Sequence, residues 1–488
     1  MQNPEQVPER LALPTPDFRA VAGAAVDFLA NYFESLETRP VVVPTTSKAI
    51  RAAIDEPLPA AGSDFAALLE TVRDVICQYS RHSAHPRMFG YVASPGTAVT
   101  AISHMIAAAM NVNVTAWRSA PPAADMERLT IDWLKEMLGY PAAAGGLLVS
   151  GGSMANFAAL GAARSAKAGV DVVRDGVAAV GRRMRVYVSE ESHYSVAKAA
   201  GMLGLGESNV LAVKTDDRLQ IDLTDLERLV AEDRAAGHLP FCVVANAGTT
   251  ATGAFDPMAE VADFARRHDL WFHVDAAYGG FAALAPSARH LFAGIEQADS
   301  IALDPHKWLY LPVGCGCVLY KDPATARAAF AHGADYTRTI GLANVEAFAF
   351  WDYGPELTRP FRALDLWMLI KFAGTERLGQ AIEENIACAK YFEELVKASG
   401  DFEMLAPVEL SIFCFRYVPK GFTGDLDAFN ERLLVAVQRA GSTYLSNARV
   451  GGKFALRGCV LNYRTTKADM ERVLKDVRAL GESILLGC

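Results

Sequence analysis

The sequence predicts an α/β protein whose main domain contains a mostly parallel sheet of seven strands with helices on both faces. Short apolar runs recur through the middle of the chain, and helical patterns separate most of them. Polar residues follow the ends of several runs, where ligands bind in sheets of this class. The predicted strands are 146–149, 185–188, 210–213, 241–245, 270–274, 300–303 and 315–320.

An N-terminal segment of helices and extended pieces precedes the sheet. Residues 18–36 and 65–79 carry apolar side chains at helical spacing, which predicts two amphipathic helices. Four prolines interrupt residues 40–59, and we predict an extended connection there. Helices over 97–110 and 122–138 lead into the first strand.

The pattern changes again after residue 375. We predict helices over 376–399, 425–440 and 467–485 with strands over 411–417 and 454–461, which is typical of a small α+β domain. The predicted organisation is a helical and extended dimerisation segment (1–95), a large α/β domain (96–375) and a small C-terminal domain (376–488).

Composition excludes several classes of protein. With 51% hydrophobic residues, 21% charged residues and a net charge of −9, the chain has material for a large core and little attraction for nucleic acid. It has no uncharged apolar stretch of membrane-spanning length and no pattern of a signal peptide at its start. Eight cysteines lack the spacing of a zinc site, so we expect no metal and buried thiols in a reducing cytoplasm.

Lys307 directly follows the strand 300–303 and lies between His306 and Trp308. The pair Asp304-Pro305 ends the strand, because proline lacks an amide donor and restricts the residue before it. A buried lysine has a lowered pKa, and a neutral amine forms an imine with an aldehyde. The alternative is a surface lysine whose stem packs on the tryptophan.

A glycine-rich turn follows the strand 146–149. Gly151, Gly152 and Ser153 stand at the start of a predicted helix, where exposed amides and the positive end of the helix dipole bind phosphate. The alternative is a tight turn in which Ser153 caps the helix. The turn matches neither the dinucleotide fingerprint nor a Walker loop, which disfavours dinucleotides and ATP.

Three further polar residues follow other predicted strands. Asp275 could hold a ring nitrogen protonated, or could cap the next helix. His193 could stack on a ring or transfer protons, or could be structural. Thr250 could donate a hydroxyl hydrogen bond, or could serve the turn. Together with Lys307 and the glycine turn, these groups match the ring, nitrogen, aldehyde and phosphate of pyridoxal 5'-phosphate.

The sequence resembles the group II pyridoxal-phosphate-dependent decarboxylases, and within them the aromatic-L-amino-acid decarboxylases. The segments that carry the resemblance are 273–278 and 305–308, with 455–457 and 461–466 near the C-terminus. The resemblance runs from about residue 15 to about residue 485. It implies an aspartate-aminotransferase-type fold (fold type I) and a cytoplasmic homodimer with active sites at the subunit interface.

The resemblance also assigns roles to individual residues. It implies that Lys307 is the Schiff-base lysine, that Asp275 pairs with the ring nitrogen and that His193 stacks on the ring. The other implied cofactor contacts are Gly151, Gly152, Ser153, Thr250, Ala277 and His306.

Tyr336 falls where the family has its catalytic-loop tyrosine, in the polar stretch 332–338 that predicts a mobile lid. That tyrosine is thought to return a proton to the substrate carbon after carbon dioxide leaves. Relatives with phenylalanine there resemble aldehyde synthases, so tyrosine favours an amine product.

The implied substrate contacts are Tyr91, Thr115, Trp117 and Thr358. Thr115 replaces a phenylalanine of animal members, and Thr358 stands where plant members have glycine for indolic or serine for phenolic substrates. Asp304 also departs from the family, since animal members have asparagine there. The hydroxyl of Thr358 favours a phenolic ring.

These residues predict decarboxylation of an L-amino acid with pyridoxal phosphate, giving the amine and carbon dioxide. An aromatic substrate such as tyrosine, dopa, phenylalanine or tryptophan is favoured by the resemblance. The alternatives are aldehyde synthesis or a non-aromatic substrate on the same fold, another enzyme such as an aminotransferase or desulfurase, and a non-catalytic protein.

Overall fold

A seven-stranded sheet forms the centre of the computed structural model, which describes residues 13–332 and 348–487. Its strands are β1 (Gly145–Val149), β2 (Met184–Ser189), β3 (Val210–Val213), β4 (Leu239–Asn246), β5 (Trp271–Ala276), β6 (Ser300–Leu303) and β7 (Gly316–Tyr320). Each predicted strand is present, with bounds that differ by at most two residues. The sheet order is β1-β7-β6-β5-β4-β2-β3.

Strand direction sets where the functional groups meet. β7 runs antiparallel to both its neighbours, β1 and β6, whereas the pairs from β6 to β3 are all parallel. The central strands β4, β5 and β6 are almost wholly buried, because helices cover both faces of the sheet. The carboxyl ends of the parallel strands therefore share one edge, and the residues after them lie close together.

Helices flank the sheet and continue on either side of it along the chain, from Thr15 to Leu485. Those up to the end of β7 are α1 (Thr15–Glu34), α2 (Ser47–Ile54), α3 (Phe65–Thr71), α4 (Ala98–Met110), α5 (Pro121–Leu138), α6 (Gly152–Lys167), α7 (Val172–Asp175), α8 (Ser195–Met202), α9 (Leu223–Ala235), α10 (Met258–Arg267) and α11 (Pro305–Trp308). The later helices are α12 (Pro323–Phe330), α13 (Arg362–Ser399), α14 (Leu426–Ala440) and α15 (Lys467–Leu485).

The proline-rich connection over 40–59 is not wholly extended, contrary to the prediction. α2 forms within it because the side chain of Thr46 caps the helix, accepting a hydrogen bond from the amide of Ala49 at 3.1 Å. The prolines at 44 and 57 lie outside the helix, where they do not interrupt its hydrogen bonds.

The C-terminal region contains a second sheet, which is antiparallel and four-stranded in the order β10-β11-β9-β8. The sequence predicted β9 (Ile412–Tyr417) and β11 (Lys453–Cys459) but neither β8 (Phe402–Met404) nor β10 (Ser446–Val450). α13 enters this region across a kink at Gly374, whose φ of 72° and ψ of 160° are readily adopted only by glycine.

No helix within residues 13–332 and 348–487 is long and apolar enough to cross a membrane. The same ranges contain no cluster of three or more His, Cys, Asp or Glu side chains placed to hold a metal ion.

Candidate active site

A cavity of about 340 Å³ opens at the carboxyl edge of the large sheet. Its walls contain every cofactor contact that the sequence predicted, from five separate strand ends. These residues are Gly151, Gly152, Ser153, His193, Thr250, Asp275, Ala277, His306 and Lys307. Lining residues that sequence reasoning missed include Asn156, Ser195, Asn246, Tyr278 and Asp304.

The turn between β1 and α6 forms an anion cradle in one wall. α6 begins at Gly152, so its free amides and the positive end of its dipole face this turn. A side chain at Gly152 would meet Asp304 Oδ2 at 2.8 Å and Ala277 Cβ at 2.9 Å. Glycine is therefore required at this position, because these two atoms leave no space for a side chain.

Asp275 ends β5 with both carboxylate oxygens occupied. Its Oδ2 accepts from Asn156 Nδ2 at 2.8 Å, and its Oδ1 accepts from the amide of Ala277 at 3.1 Å. The carboxylate is buried, so these two bonds fix its orientation at the base of the cavity. A buried, oriented carboxylate suits the protonated nitrogen of a flat ring.

Hydrogen bonds define the protonation of His193. Asn156 Nδ2 also donates to Ser195 Oγ at 2.9 Å, and that hydroxyl lies 2.8 Å from His193 Nδ1. Because the hydroxyl accepts from the amide, its own hydrogen points to Nδ1, and the amide of Ser195 also donates there at 3.3 Å. The imidazole proton is thus assigned to Nε2. Burial, reinforced by the charge of Lys307, lowers the pKa of His193, so the ring is neutral near pH 7.

The hydrogen-bond network continues from Asn156 to His273, which lies on β5. Asn156 has used its amide hydrogens, so its Oδ1 accepts from His273 Nε2 at 2.9 Å, while Ser300 Oγ meets His273 Nδ1 at 2.8 Å. Trp271 Nε1 donates to the same hydroxyl at 2.8 Å. Burial lowers the pKa of His273 to about 4. One asparagine thus joins the ring-facing imidazole, the carboxylate and a neutral buried histidine.

Lys307 lies in the single turn of α11, with its Nζ 2.9 Å from Asp304 Oδ2. Burial lowers the pKa of Lys307, but the charges of Asp304 and Asp275 outweigh burial and raise it above the usual lysine value. The expected lowered pKa is therefore wrong for the chain without cofactor. The physical reason is Asp304, three residues before the lysine on the same turn.

Trp308 and His306 anchor the turn that carries the lysine. The indole stacks on Tyr278 with ring centroids 5.2 Å apart and an interplanar angle of 6°, and its Nε1 donates to Asn385 on α13 at 3.1 Å. His306 Nδ1 lies 2.8 Å from the carbonyl oxygen of Cys315. Aromatic stacking and these bonds restrict where the lysine can reach.

The four predicted substrate contacts do not line this cavity within the single chain. Thr115 and Thr358 belong to adjacent segments, which Arg359 holds together by donating to the carbonyl of Val114 at 2.7 Å and forming a buried ion pair with Glu127. Thr115 Oγ1 has no hydrogen-bond partner among the described residues, whereas Thr358 is exposed.

Tyr91 and Trp117 are also outside the cavity lining. Tyr91 is 51% exposed, but its carbonyl accepts from Arg457 Nη1 at 2.9 Å, and Nη2 of the same arginine donates to the carbonyl of Thr250 at 2.6 Å. Trp117 Nε1 donates to Asp125 at 3.0 Å. Tyr336 and most of the predicted lid lie outside the described residues, so their role stays a prediction.

The donor set fits pyridoxal phosphate. The cradle offers backbone donors for a phosphate, Asp275 offers a fixed carboxylate for a ring nitrogen, and Lys307 keeps 20% of its side-chain surface exposed. The volume also falls in the range of small-molecule sites.

Comparisons with known proteins agree with this chemistry. Residues 47–418 match the family described as pyridoxal-dependent decarboxylase conserved domain. The chain is 35% identical over 479 residues to the aromatic-L-amino-acid decarboxylase of Bacillus atrophaeus, covering 98% of each chain. It is 31% identical over 465 residues to tryptophan decarboxylase 1 of Oryza sativa subsp. japonica, covering 91% of this chain and 90% of the relative.

A solved structure is similar over nearly the whole chain. The crystal structure of Oryza sativa TDC with PLP and tryptamine superposes with a TM-score of 0.90 at 29% identity, covering 97% of this chain and 99% of that one.

Proposed function

Because this chain belongs to the pyridoxal-dependent decarboxylase family, we propose that it converts an aromatic L-amino acid into its amine and carbon dioxide. It is an amino-acid decarboxylase whose cofactor is pyridoxal phosphate. The aromatic substrate class is the proposed part. Its support is the similarity over 98% of the chain to an aromatic-L-amino-acid decarboxylase.

One observation carries the assignment of the site. The anion cradle, the carboxylate of Asp275, the neutral imidazole of His193 and the amine of Lys307 line a single cavity. They come from residues far apart in sequence, brought together by the parallel strand ends. This supports a catalytic site and not a structural cluster.

We assign each residue a task in the reaction. Gly151, Gly152 and Ser153 would hold the phosphate, and Lys307 would hold the aldehyde carbon and release it to the substrate amine. Asp275, oriented by Asn156, would keep a proton on the ring nitrogen. His193 would lie against the ring with its Nε2 proton available. When bound, the cofactor supplies a ring that withdraws the electrons of the bond to the carboxyl group.

The substrate class is tested with purified chain and added pyridoxal phosphate. Tyrosine, dopa, phenylalanine and tryptophan are compared with glutamate, with carbon dioxide and product mass as the measurements. We expect carbon dioxide and the amine from an aromatic substrate, and neither product from a Lys307→Ala variant. Release from glutamate alone would contradict the proposal, and aldehyde with hydrogen peroxide would identify an aldehyde synthase instead.

We also propose that the active unit is a homodimer with its sites at the interface. In the described part of the chain, α1, α2 and α3 bury none of their own residues, and α4 exposes Ile102, Met105, Ile106 and Met110. Ser150 lines both the cavity and a groove beside α4, so the apolar surface adjoins the site.

A second copy on this surface would place new side chains at the cavity mouth. Sedimentation equilibrium should give twice the chain mass, and Met105→Asp should reduce both the mass and the decarboxylase activity. A fully active monomer would contradict the dimer.

We place the protein in the cytoplasm. The cysteines in residues 13–332 and 348–487 are all free thiols, and most are buried, which suits a reducing compartment. A thiol count on protein isolated under alkylating conditions tests this, and disulfides would contradict it.

A further inference from the structure

We propose that Asp304 is a built-in proton acceptor for Lys307, which holds the lysine as an ammonium ion and takes its proton when the amine is required to react. The inference rests on the proposed function, because it concerns the lysine that would hold the cofactor's aldehyde. It adds Asp304 to the residues that take part in the reaction, and it explains why a carboxylate stands at this position.

Asp304 differs from the other acidic residues of the described ranges in that it combines burial with a contact to Lys307. It is 2% exposed, and its Oδ2 lies 2.9 Å from Lys307 Nζ. Its Oδ1 is buried and has no hydrogen-bond partner within the described residues. A buried carboxylate with one free oxygen depends on the single cation beside it.

Lys307 must lose a proton before its amine can react. An ammonium ion has no lone pair, so the lysine cannot attack an aldehyde until a proton leaves. Transfer to Asp304 breaks one Nζ–H bond, forms one Oδ2–H bond and consumes no other reactant. It also removes two opposite charges together, leaving a neutral amine beside a neutral carboxyl group, so neither partner remains as an unpaired buried charge.

The anion cradle gives the transfer a second consequence. Asp304 Oδ2 lies where a Gly152 side chain would project, and Oδ1 lies 3.8 Å from the corresponding position at Gly151. An ionised carboxylate there would repel a phosphate, whereas a protonated carboxyl group would not. The transfer therefore removes a negative charge next to the cradle.

Other groups face this pair but are less suited to take the proton. Asp275 has both oxygens occupied by Asn156 and the amide of Ala277, and His306 Nε2 lies 3.8 Å from Asp304 Oδ2. Burial lowers the pKa of both His306 and His193. The remaining titratable groups near the pair in the described residues are the thiols of Cys459, Cys315 and Cys317. Burial raises the pKa of each thiol, so all three are uncharged at neutral pH.

The test measures the reactivity of the Lys307 amine in the absence of substrate. The full chain, stripped of cofactor with hydroxylamine, is reductively methylated with formaldehyde and sodium cyanoborohydride across a pH series, and labelling of Lys307 is read by peptide mass spectrometry. The isosteric Asp304→Asn variant is compared with the unmodified chain. Exposed Lys420 in the same sample is the internal reference, and Asp233→Asn, which removes a buried carboxylate outside the cavity lining, is the matched control.

We expect Asp304→Asn to label Lys307 about tenfold faster at neutral pH, since loss of the carboxylate moves the labelling profile down by about one pH unit. Asp233→Asn should leave the profile unchanged. Identical Lys307 profiles in the unmodified chain and in Asp304→Asn would overturn the proposal.

If Asp304→Asn fails to fold, the labelling of the chain without a substitution tests the proposal by itself. A Lys307 labelling midpoint above that of Lys420 supports the proposal that Asp304 holds the lysine as an ammonium ion, and a midpoint below it overturns the proposal. Carbon dioxide release is assayed separately, so a chain that labels as expected but decarboxylates no aromatic amino acid loses only the proposed function.

Discussion

Asn156 links more of the site than any residue singled out from the sequence. Its amide hydrogens reach Asp275 and Ser195, and its carbonyl oxygen accepts from His273. Each of its hydrogen-bonding atoms thus has a partner in a buried network, where an unsatisfied group costs about 1–3 kcal/mol. Asn156 therefore acts through Asp275 and His193 as a positioning residue.

Asn156→Ala should lower kcat/KM roughly 10- to 100-fold, because it removes one of the two hydrogen bonds that orient the Asp275 carboxylate and the side-chain amide that donates to the Ser195 hydroxyl. Steady-state kinetics and the cofactor's absorbance check this. Asn430→Ala is the matched control, since Asn430 is an equally buried asparagine bonded to Tyr417 in the small sheet. The control should lose stability and keep its kcat/KM, and equal kinetic losses in both variants would refute the positioning role.

Sequence reasoning found the residues that end strands and missed those that reach the site from elsewhere. Lys307, Asp275 and His193 follow strands, and the convergence of parallel strands predicts their proximity. Asn156 lies one turn inside α6, where only the tertiary fold reveals its partners. A usable sign was present, because this asparagine interrupts a helix face whose other buried members, such as Ala155, Ala159 and Leu160, are small or apolar.

At the scale of elements, the start of α6 leaves no room for a side chain. A Cβ at Gly152 would lie 2.8 Å from Asp304 Oδ2 and 2.9 Å from Ala277 Cβ, both of them anchored by the sheet. Neither neighbour can move without shifting β5 or the lysine turn. The cradle and the lysine turn are therefore packed as a unit.

Gly152→Ala should weaken pyridoxal phosphate binding at least about tenfold, because overpacking of this kind costs about 1–3 kcal/mol. Titration of the cofactor-free chain by absorbance measures the affinity. Gly62→Ala is the control, since a Cβ at that position meets nothing within 4 Å. Unchanged affinity in Gly152→Ala would show that the turn does not contact the cofactor.

The prediction of helices and strands from the sequence succeeded where one physical cause, such as burial in the sheet, dominated. The buried strands have apolar runs that only a covered sheet explains, and all seven were predicted. α2 was missed because the prolines at 44 and 57 suggested interruption, although the eight residues between its caps are compatible with helix. β8 and β10 were missed because short strands depend on pairing with distant partners.

At the scale of the whole molecule, buried histidines set the response to acid. Burial lowers the pKa of His273, His82 and His85 to about 4, below the ordinary value of 6.5. Between these values the unfolded chain binds more protons, so stability falls as pH drops through this window. Burial raises the pKa of Asp256 to about 6, which acts in the opposite sense but offsets only part of the effect.

The free energy of unfolding should therefore be lower at pH 5 than at pH 7, with His273 alone contributing about 2 kcal/mol to the difference. Urea denaturation at both pH values measures it. In His273→Gln the difference should shrink by about that amount. A difference as large as that of the unmodified chain would show that His273 does not remain neutral in the folded state.

The antiparallel strand β7 also dictates when the site can form. β1, which leads into the anion cradle, is an edge strand whose one neighbour among the strands of residues 13–332 and 348–487 is β7. A chain emerging from the ribosome therefore cannot fasten that turn to the sheet until residue 320 is available, which is 171 residues after β1 ends at Val149. Capture of the cofactor thus marks a late stage of folding, and a chain truncated before β7 would have the cradle sequence without the binding site.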